Sequence, residues 1–254
     1  MGWEERKKEM GRELLRQFYE KRLLRTWLRD RPEGWELVSG IWSPFYVQAR
    51  LVPSHPEVLD MVGRFMGEML AREAPGVNRI VGLAAAGVPI AVAAGMAGKL
   101  PVCYTRKLPG VRSVSELDRA AREEYGEHSL VEGLFEEGDR IALVDDVVAR
   151  FTSKEVGARQ VEMELSRRGL STAKVDTVAV IIDREQGTAA AARSLGVNLI
   201  SLLRLKTEGL EVMQDICSPR EFEVIGQYLE DDQAFQAPEV REGLIAEARA
   251  ANRG

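Results

Sequence analysis

The feature that most constrains the fold is an alternation of short apolar runs with helix-like segments between residues 79 and 203. The predicted strands are 79–84, 100–105, 141–144, 175–182 and 198–203, and the helices that follow them are 87–98, 153–168 and 188–195. Parallel strands need crossover connections, and a helix between two strands supplies one. The alternation therefore predicts an α/β fold with a doubly wound, mostly parallel sheet.

The segments on either side of this alternation are predicted to be largely helical. Apolar residues recur at helical spacing from Met10 to Leu28, which predicts an amphipathic helix that covers a core. The other predicted elements are a strand at 45–52 and helices at 56–71, 220–229 and 238–250. The predicted division is an N-terminal amphipathic helix (1–35), an α/β domain (36–212) and a C-terminal helical extension (213–254).

Composition excludes several classes of protein. The net charge is −5 and no segment concentrates Lys and Arg, so we expect no nucleic-acid partner. Cys103 and Cys217 lie far apart and have neither metal-ligand spacing nor a disulfide pattern, which favours a reducing, cytoplasmic location. Because no apolar run approaches the ~20 residues of a membrane span, we expect no membrane partner.

An acidic pair and a hydroxyl pair indicate a sugar-phosphate site. Asp145 and Asp146 follow the predicted strand 141–144, and Thr152 and Ser153 open the next helix. In open α/β sheets, ligands lie beyond the carboxyl ends of the strands. Carboxylates hold ribose hydroxyls, directly or through a hydrated cation, while hydroxyls and N–H groups at a helix N-terminus suit a phosphate. The alternatives are a solvated turn for the acidic pair and simple N-capping for the hydroxyls.

A long irregular connection lies close to this predicted site in the sequence. Residues 107–132 are rich in Pro, Gly, Ser and charged residues, whereas connections in compact domains are usually about 4–6 residues long. We therefore interpret this segment as a candidate lid.

Several further segments carry a family resemblance because they occur together and in one order. They are Ser39-Gly-Ile-Trp-Ser-Pro-Phe-Tyr-Val47, Gly82-Leu-Ala-Ala-Ala-Gly-Val-Pro-Ile-Ala91, Tyr104-Thr-Arg-Lys107, Glu124-Tyr-Gly-Glu127, Glu137-Gly-Asp-Arg-Ile-Ala-Leu-Val-Asp-Asp-Val147 and Asp183-Arg-Glu185. Together they resemble the hood, pyrophosphate loop, mobile loop and phosphoribosyl-binding motif of the type I phosphoribosyltransferases, most closely the orotate phosphoribosyltransferases. The resemblance runs from about residue 37 to residue 210.

The resemblance implies transfer of ribose 5-phosphate from phosphoribosyl diphosphate to orotate in pyrimidine nucleotide synthesis. It also implies Mg²⁺, held mainly by the substrate diphosphate rather than by protein ligands, and a homodimer. The implied catalytic residues are Asp145 and Asp146 at the ribose and cation, and Arg106 and Lys107 at pyrophosphate. The implied substrate-binding residues are Arg150, Thr152, Ser153 and Lys154 at the 5′-phosphate, Ala85, Ala86 and Gly87 at pyrophosphate, and Arg184 at the carboxylate of the base.

Three departures from the family pattern favour a different function. Phe151 stands at a glycine position of the phosphate loop, where we expect its ring to crowd the phosphate. Glu123 stands where the mobile loop often has a lysine, and Val38 and Ile41 replace basic hood residues. The alternative is a catalytically silent homologue that binds a nucleotide or base as a sensor or regulator. A third possibility is an enzyme that uses a different acceptor base.

Overall fold

The computed structural model describes residues 2–37, 40–123 and 129–252, without the side chains of Arg122 and Glu123. The strands are β1 (Leu24–Thr26), β2 (Trp35–Glu36), β3 (Trp42–Ser43), β4 (Phe45–Val47), β5 (Arg79–Gly82), β6 (Val102–Thr105), β7 (Val131–Glu132), β8 (Arg140–Val148), β9 (Lys174–Asp183) and β10 (Asn198–Arg204). The α-helices are α1 (Trp3–Glu20), α2 (Pro56–Glu73), α3 (Gly87–Gly98), α4 (Val114–Glu123), α5 (Thr152–Arg167), α6 (Thr188–Leu195), α7 (Leu210–Ile216), α8 (Pro219–Glu230) and α9 (Pro238–Ala251). None of the described helices is long and apolar enough to cross a membrane.

A six-stranded sheet with the order β10-β9-β8-β5-β6-β7 forms the centre of the molecule. All neighbouring pairs are parallel except β6 and β7, so the predicted doubly wound, mostly parallel α/β sheet is confirmed. The chain runs from β5 to β6 on one side and later returns to β8 on the other side of β5. The carboxyl ends of β5 and β8 therefore flank the position where ligands bind in such sheets.

Two hydrophobic cores hold the sheet and its helices together. The first contains residues of α1, α2 and α3 and extends to Tyr228 of α8 and Leu244 of α9. The second contains residues of β8, α4 and α5. Trp27 also donates a 3.1 Å hydrogen bond from Nε1 to the carbonyl of Leu244. The division at residues 35 and 212 stays a prediction, and the described terminal segments share the first core.

The predicted continuous helix from Met10 to Leu28 is wrong beyond residue 20. α1 ends at Glu20, Arg22 has a positive φ of 56°, and β1 then pairs antiparallel with β4. Leu23, Leu24 and Trp27 are fully buried in a turn and a strand. The helix, the turn and the strand each bury their apolar side chains in the same core, so these residues follow one another at a spacing that resembles a continuous helix.

Two other predicted boundaries differ from the structure by several residues, and one helix in addition to α4 was not predicted. The predicted strand at 45–52 stops at Val47, because the segment Ala49–Ser54 forms a 3₁₀ helix. β8 continues through the acidic pair to Val148, and its Asp145 pairs with Val180 of β9. This additional helix is α7.

The predicted irregular connection contains a packed helix. Leu117 of α4 is fully buried in the second core, and Asp118 accepts a 3.0 Å hydrogen bond from Arg159 of α5. Only residues 107–123 and 129–132 of this connection are described, and Glu124-Tyr-Gly-Glu127 lies outside them. The described part of the connection is therefore partly anchored on α5.

The close contact between α2 and α3 generates a test of the fold. A Cβ atom added at Gly63 would lie 2.8 Å from backbone atoms of Ala93, so Gly63→Ala forces the two helices apart. We expect this change to lower the free energy of unfolding by about 1–3 kcal/mol, as overpacking does. The matched control is Gly243→Ala in α9, where a Cβ meets nothing within 4 Å. We expect the control to raise stability by up to about 1 kcal/mol because alanine favours helix.

Urea unfolding of both variants measures the two effects. If Gly63→Ala and Gly243→Ala changed stability by the same amount and in the same direction, the close approach of α2 and α3 would be contradicted.

Candidate active site

The loop after β5 lies directly against the end of β8. Leu83 donates a 2.9 Å hydrogen bond from its amide to the carbonyl of Val144. A Cβ atom at Gly87 would lie 2.2 Å from that carbonyl oxygen and 3.1 Å from the Cα of Asp145. Only glycine allows this approach, so the N-terminus of α3 and the acidic pair are brought together by backbone packing.

The same loop presents backbone N–H groups. The peptide bond between Ala84 and Ala85 is cis, and the Ala84 amide donates a 2.9 Å hydrogen bond to Thr105 Oγ1. Within the described residues, the amides of Ala85 and Ala86 donate to no protein acceptor. Ala85 is exposed, and these two donors are available to an anion at the switch point.

The two aspartates differ in their environment. Asp145 is buried, and its carboxylate accepts hydrogen bonds from the Asp146 amide at 2.9 Å and from Lys154 Nζ at 2.7 Å. Asp146 is only partly buried, and its Oδ1 accepts a 2.8 Å hydrogen bond from the Val147 amide. Burial and repulsion from Asp145 raise the pKa of Asp146 to about 6. Oδ2 of Asp146 has no partner in the described chain, so it is the free ligand atom of the pair.

Lys154 forms a buried ion pair with Asp145. Its Nζ donates to Asp145 Oδ2 and to the Val147 carbonyl, both at 2.7 Å, and to Ser153 Oγ at 3.2 Å. These three contacts use all three protons of the ammonium group. The predicted contact between Lys154 and a 5′-phosphate stays a prediction. What the structure shows is a cation that joins the first turn of α5 to the end of β8.

The first turn of α5 has free donors. Thr152 and Ser153 are exposed, and the amides of Lys154 and Glu155 turn back to the carbonyl of Phe151. No side chain caps this helix, so the alternative of simple N-capping by Thr152 and Ser153 is not seen. Arg150 is exposed and has no ion-pair partner among the described residues. The turn thus combines a positive helix end, hydroxyls and a guanidinium, which suits a phosphate.

The expected obstruction by Phe151 is wrong. The side chain is 3% exposed and belongs to the second core, with Val148 and Ala158. Its φ of −79° is an ordinary helical value, so this position does not need glycine. Burial of a large apolar ring is favourable because it removes apolar surface from water, and the Phe151 ring packs into the core below the first turn of α5.

Arg184 follows β9 and lies beside the end of β8. Its amide donates a 2.8 Å hydrogen bond to the carbonyl of Val148. The side chain is 9% exposed, and its Nε and Nη2 atoms find no partner in the described chain. The guanidinium lies over the ring of Phe45, 5.2 Å from the centroid. Burial lowers the pKa of Arg184.

Within the described residues, Arg184 forms no salt bridge with its acidic neighbours Asp183 and Glu185. Asp183 accepts hydrogen bonds from Thr188 Oγ1 and the Glu185 amide. Glu185 accepts from the amides of Lys206 and Thr207. The buried guanidinium therefore has no carboxylate partner within the described residues.

Sequence reasoning missed one residue near Arg184. Tyr228 of α8 packs edge-on against Phe45, the ring over which the Arg184 guanidinium lies, and its hydroxyl is buried without a partner in the described chain. No local sequence pattern identifies Tyr228 as a functional residue, because a Tyr at helical spacing cannot be distinguished from an ordinary core residue.

Arg106 and Lys107 follow β6 and are exposed. Arg106 Nη1 lies 3.7 Å from Glu132 Oε1, and Lys107 has no partner in the described chain. No contact within the described residues joins either side chain to the acidic pair. The side chain of Glu123 and residue Val38 lie outside the described part. The structure thus brings the β5 loop, the acidic pair, the α5 turn and Arg184 together, and leaves Arg106 and Lys107 on the adjoining surface.

The chain is similar in sequence and in structure to orotate phosphoribosyltransferases, as one sequence relative and two solved structures show. The chain is 32% identical over 167 residues to orotate phosphoribosyltransferase of Methanothermobacter thermautotrophicus, which covers 66% of this chain and 79% of that protein. The crystal structure of orotate phosphoribosyltransferase from Aeropyrum pernix superimposes with a TM-score of 0.60 and 23% identity, covering 80% of this chain and 97% of that one. No protein-family model matches the chain.

The second solved structure contains a ligand. Mycobacterium tuberculosis orotate phosphoribosyltransferase in complex with 5-phospho-α-D-ribosyl 1-diphosphate has a TM-score of 0.52 and 22% identity, covering 79% of this chain and 99% of that one. At these identities the two structural likenesses establish the fold.

The position of Phe151 predicts the effect of removing its ring. Phe151→Ala leaves a cavity in the second core, and we expect a loss of about 3–5 kcal/mol in the free energy of unfolding. Phe151→Leu, the matched control, keeps most of the buried volume, and we expect a loss below about 1.5 kcal/mol. Calorimetric unfolding measures both losses. If Phe151→Gly tightened phosphate binding without destabilising the protein, the ring would lie in the anion site and the buried placement would be contradicted.

Proposed function

Because the chain belongs to the orotate phosphoribosyltransferase family, we propose that it transfers ribose 5-phosphate from phosphoribosyl diphosphate to orotate in pyrimidine nucleotide synthesis. The observation that carries the proposal is the convergence of Asp145 and Asp146 with the open first turn of α5. One phosphorylated pentose spans these two groups, with its hydroxyls at the carboxylates and its phosphate at the turn.

The proposed reaction is a substitution at the anomeric carbon. A ring nitrogen of orotate, after releasing its proton to solvent, forms a bond to that carbon as the bond to the diphosphate oxygen breaks and pyrophosphate leaves. Positive charge develops on the sugar, so the carboxylates of Asp145 and Asp146 stabilise it electrostatically. The free amides of Ala85 and Ala86 would receive the departing pyrophosphate. Catalysis then depends on positioning and electrostatics, with no covalent intermediate on the protein.

The base side of the proposed site belongs to Arg184. A guanidinium presents parallel N–H donors that match the two oxygens of a carboxylate. Arg184 has two buried donors without partners, and its backbone is bonded to Val148, two residues beyond Asp146. The carboxylate of orotate would supply the missing anion next to the ribose.

The donor set fits the proposed Mg²⁺. Magnesium prefers oxygen ligands and usually keeps several waters, and it often binds through one or two carboxylates plus substrate phosphates. Asp146 Oδ2 is a partly buried carboxylate oxygen without another partner in the described chain. When bound with the diphosphate, the cation would offset the negative charge of the leaving group. Among the described residues no cluster of three or more His, Cys, Asp or Glu stands ready as a protein cage.

We also propose a homodimer, a cytoplasmic location, and a role for Arg106 and Lys107 in meeting pyrophosphate. Exposed apolar side chains on α3 support the dimer, since Val92 is 43% and Met96 is 71% exposed one helical turn apart. Both cations are exposed and Lys107 has no partner in the described chain, so they remain available to a pyrophosphate. The silent sensor is not favoured, because the sequence relatives are named as orotate phosphoribosyltransferases and Phe151 does not obstruct the turn.

The pKa of Asp146 generates a pH test of this function. We expect orotate consumption in the presence of phosphoribosyl diphosphate and Mg²⁺, with kcat/KM falling about tenfold per pH unit below about pH 6 as Asp146 is protonated. Asp146→Asn should lower kcat/KM by about 10²-fold or more and flatten the acid limb of the profile. Absence of orotate consumption at every pH would contradict the proposed function.

The same residue predicts an opposite trend in stability, which serves as the control. The folded pKa of about 6 lies above the unfolded value of about 3.9, so the folded state binds more protons between these values. The contribution of Asp146 to stability is therefore lost as the pH rises from about 4 to about 6, by up to about 3 kcal/mol. We expect Asp146→Asn to remove this slope in chemical unfolding, and an unchanged slope would contradict the assigned pKa.

A further inference from the structure

Two buried side chains from distant parts of the chain, Arg184 and Tyr228, have polar atoms that make no hydrogen bond within the described residues. Among the described residues, the buried side-chain atoms without a hydrogen-bond partner are Arg184 Nε, Arg184 Nη2 and Tyr228 Oη. Arg184 is 9% exposed and Tyr228 is 1% exposed. The Arg184 guanidinium lies 5.2 Å from the centroid of the Phe45 ring, and the ring of Tyr228 packs against the same ring with a centroid distance of 5.6 Å. All three unpartnered atoms therefore lie in one small region.

The missing partner must be an anion that accepts several hydrogen bonds. A buried guanidinium without a counter-charge is costly, and a buried hydroxyl without a partner adds to that cost. The acidic residue Asp232 raises the pKa of Arg184, but its carboxylate accepts hydrogen bonds from Gln233 at 2.9 Å and Gln186 at 3.4 Å. Since Asp232 forms no ion pair with Arg184, the protein itself leaves this position uncompensated.

The arrangement of the unpartnered atoms suits a carboxylate. Nε and Nη2 lie on one edge of the guanidinium, and two parallel donors on one edge match the two oxygens of a carboxylate. A carboxylate has about four lone-pair positions, so it can also accept from a phenol hydroxyl. Arg184 and Tyr228 together thus supply three donors to one anionic group.

The surrounding aromatic rings enclose this region from the side of α8. Tyr228 makes edge-on contacts with Phe45 at 5.6 Å and with Phe235 at 5.4 Å between ring centroids. Gln236 bonds to both the amide and the carbonyl of Trp42, at 2.9 and 3.1 Å. These contacts hold the segment 219–236 against β3 and β4. The position of Tyr228 is therefore fixed by its own segment and by the two strands.

We propose that Tyr228 binds the acceptor carboxylate together with Arg184, which makes the segment 219–236 a wall of the acceptor site. This inference rests on the proposed function and deepens it, because it assigns acceptor specificity to a residue of α8. A uracil ring, which has no carboxylate, would leave all three donors unpaired. A site of this kind rejects an analogue that lacks the bonded group far more strongly than an apolar pocket does.

Tyr228→Phe tests the assignment, because it removes one oxygen and keeps the ring that packs against Phe45 and Phe235. We expect the KM for orotate to rise about tenfold, the loss expected for one hydrogen bond to a charged group, while the KM for phosphoribosyl diphosphate stays unchanged. The melting temperature should stay the same or rise, because the variant removes an unpartnered buried hydroxyl. If Tyr228 only packs against the neighbouring rings, Tyr228→Phe should change neither the KM for orotate nor the KM for phosphoribosyl diphosphate.

The matched control is Tyr19→Phe. The hydroxyl of Tyr19 donates a 3.0 Å hydrogen bond to Glu221, which belongs to the N-terminal cap of α8. We expect Tyr19→Phe to lower the melting temperature and to leave the KM for orotate unchanged, which is the reverse of the pattern for Tyr228→Phe.

Calorimetry with nucleotides separates this inference from the proposed function. The wild-type protein should bind orotidine 5′-monophosphate at least 10²-fold more tightly than uridine 5′-monophosphate, and Tyr228→Phe and Arg184→Met should each reduce that preference non-additively. An undiminished preference in Tyr228→Phe, or no preference in the wild-type protein, would overturn the inference. Tight binding of orotidine 5′-monophosphate without orotate consumption would uphold the inference and contradict the proposed function.

Discussion

The buried ion pair between Lys154 and Asp145 is the interaction on which the rest of the site depends. It joins the first turn of α5 to the end of β8 and uses every proton of the ammonium group. Because Lys154 binds Asp145, the neighbouring Asp146 keeps a free oxygen, and burial and repulsion from Asp145 raise its pKa. The pair also fixes the distance between the carboxylates and the open helix end, which the proposed sugar phosphate would bridge.

The surrounding strands extend this arrangement on both sides. On the β5 side, Gly87 permits the α3 N-terminus to lie against Val144, which brings free amides to the acidic pair. On the β9 side, the bond from the Arg184 amide to Val148 carries a buried, unpaired guanidinium to the same edge. In the proposed reaction, these groups would bind the leaving group, the pentose and the base in that order along the carboxyl edge of the sheet.

Local patterns in the sequence are sufficient for five of the six strands of the sheet and for the approach of the acidic pair to the first turn of α5. The bounds of α3 and α6 agree with the prediction, because glycines in the sequence mark them. Gly87 and Gly98 are the first and last residues of α3, and Gly187 and Gly196 flank α6. The end of α1 was not predicted, because the chain turns at Arg22 with a positive φ while the apolar residues beyond the turn keep a helix-like spacing in the sequence. The direction of the Phe151 ring and the meeting of Arg184 with Tyr228 depend on contacts between distant segments, which no local pattern encodes.

A double-mutant cycle on Lys154 and Asp145 tests the central claim most directly. Removing one partner leaves an uncompensated buried charge, so Lys154→Met and Asp145→Asn should each lower the free energy of unfolding by about 3–5 kcal/mol. The double variant should lose clearly less than the sum, with a coupling of about 1–3 kcal/mol, because neither charge remains. Losses that add to within about 0.5 kcal/mol would show that the two side chains do not interact and would contradict the account.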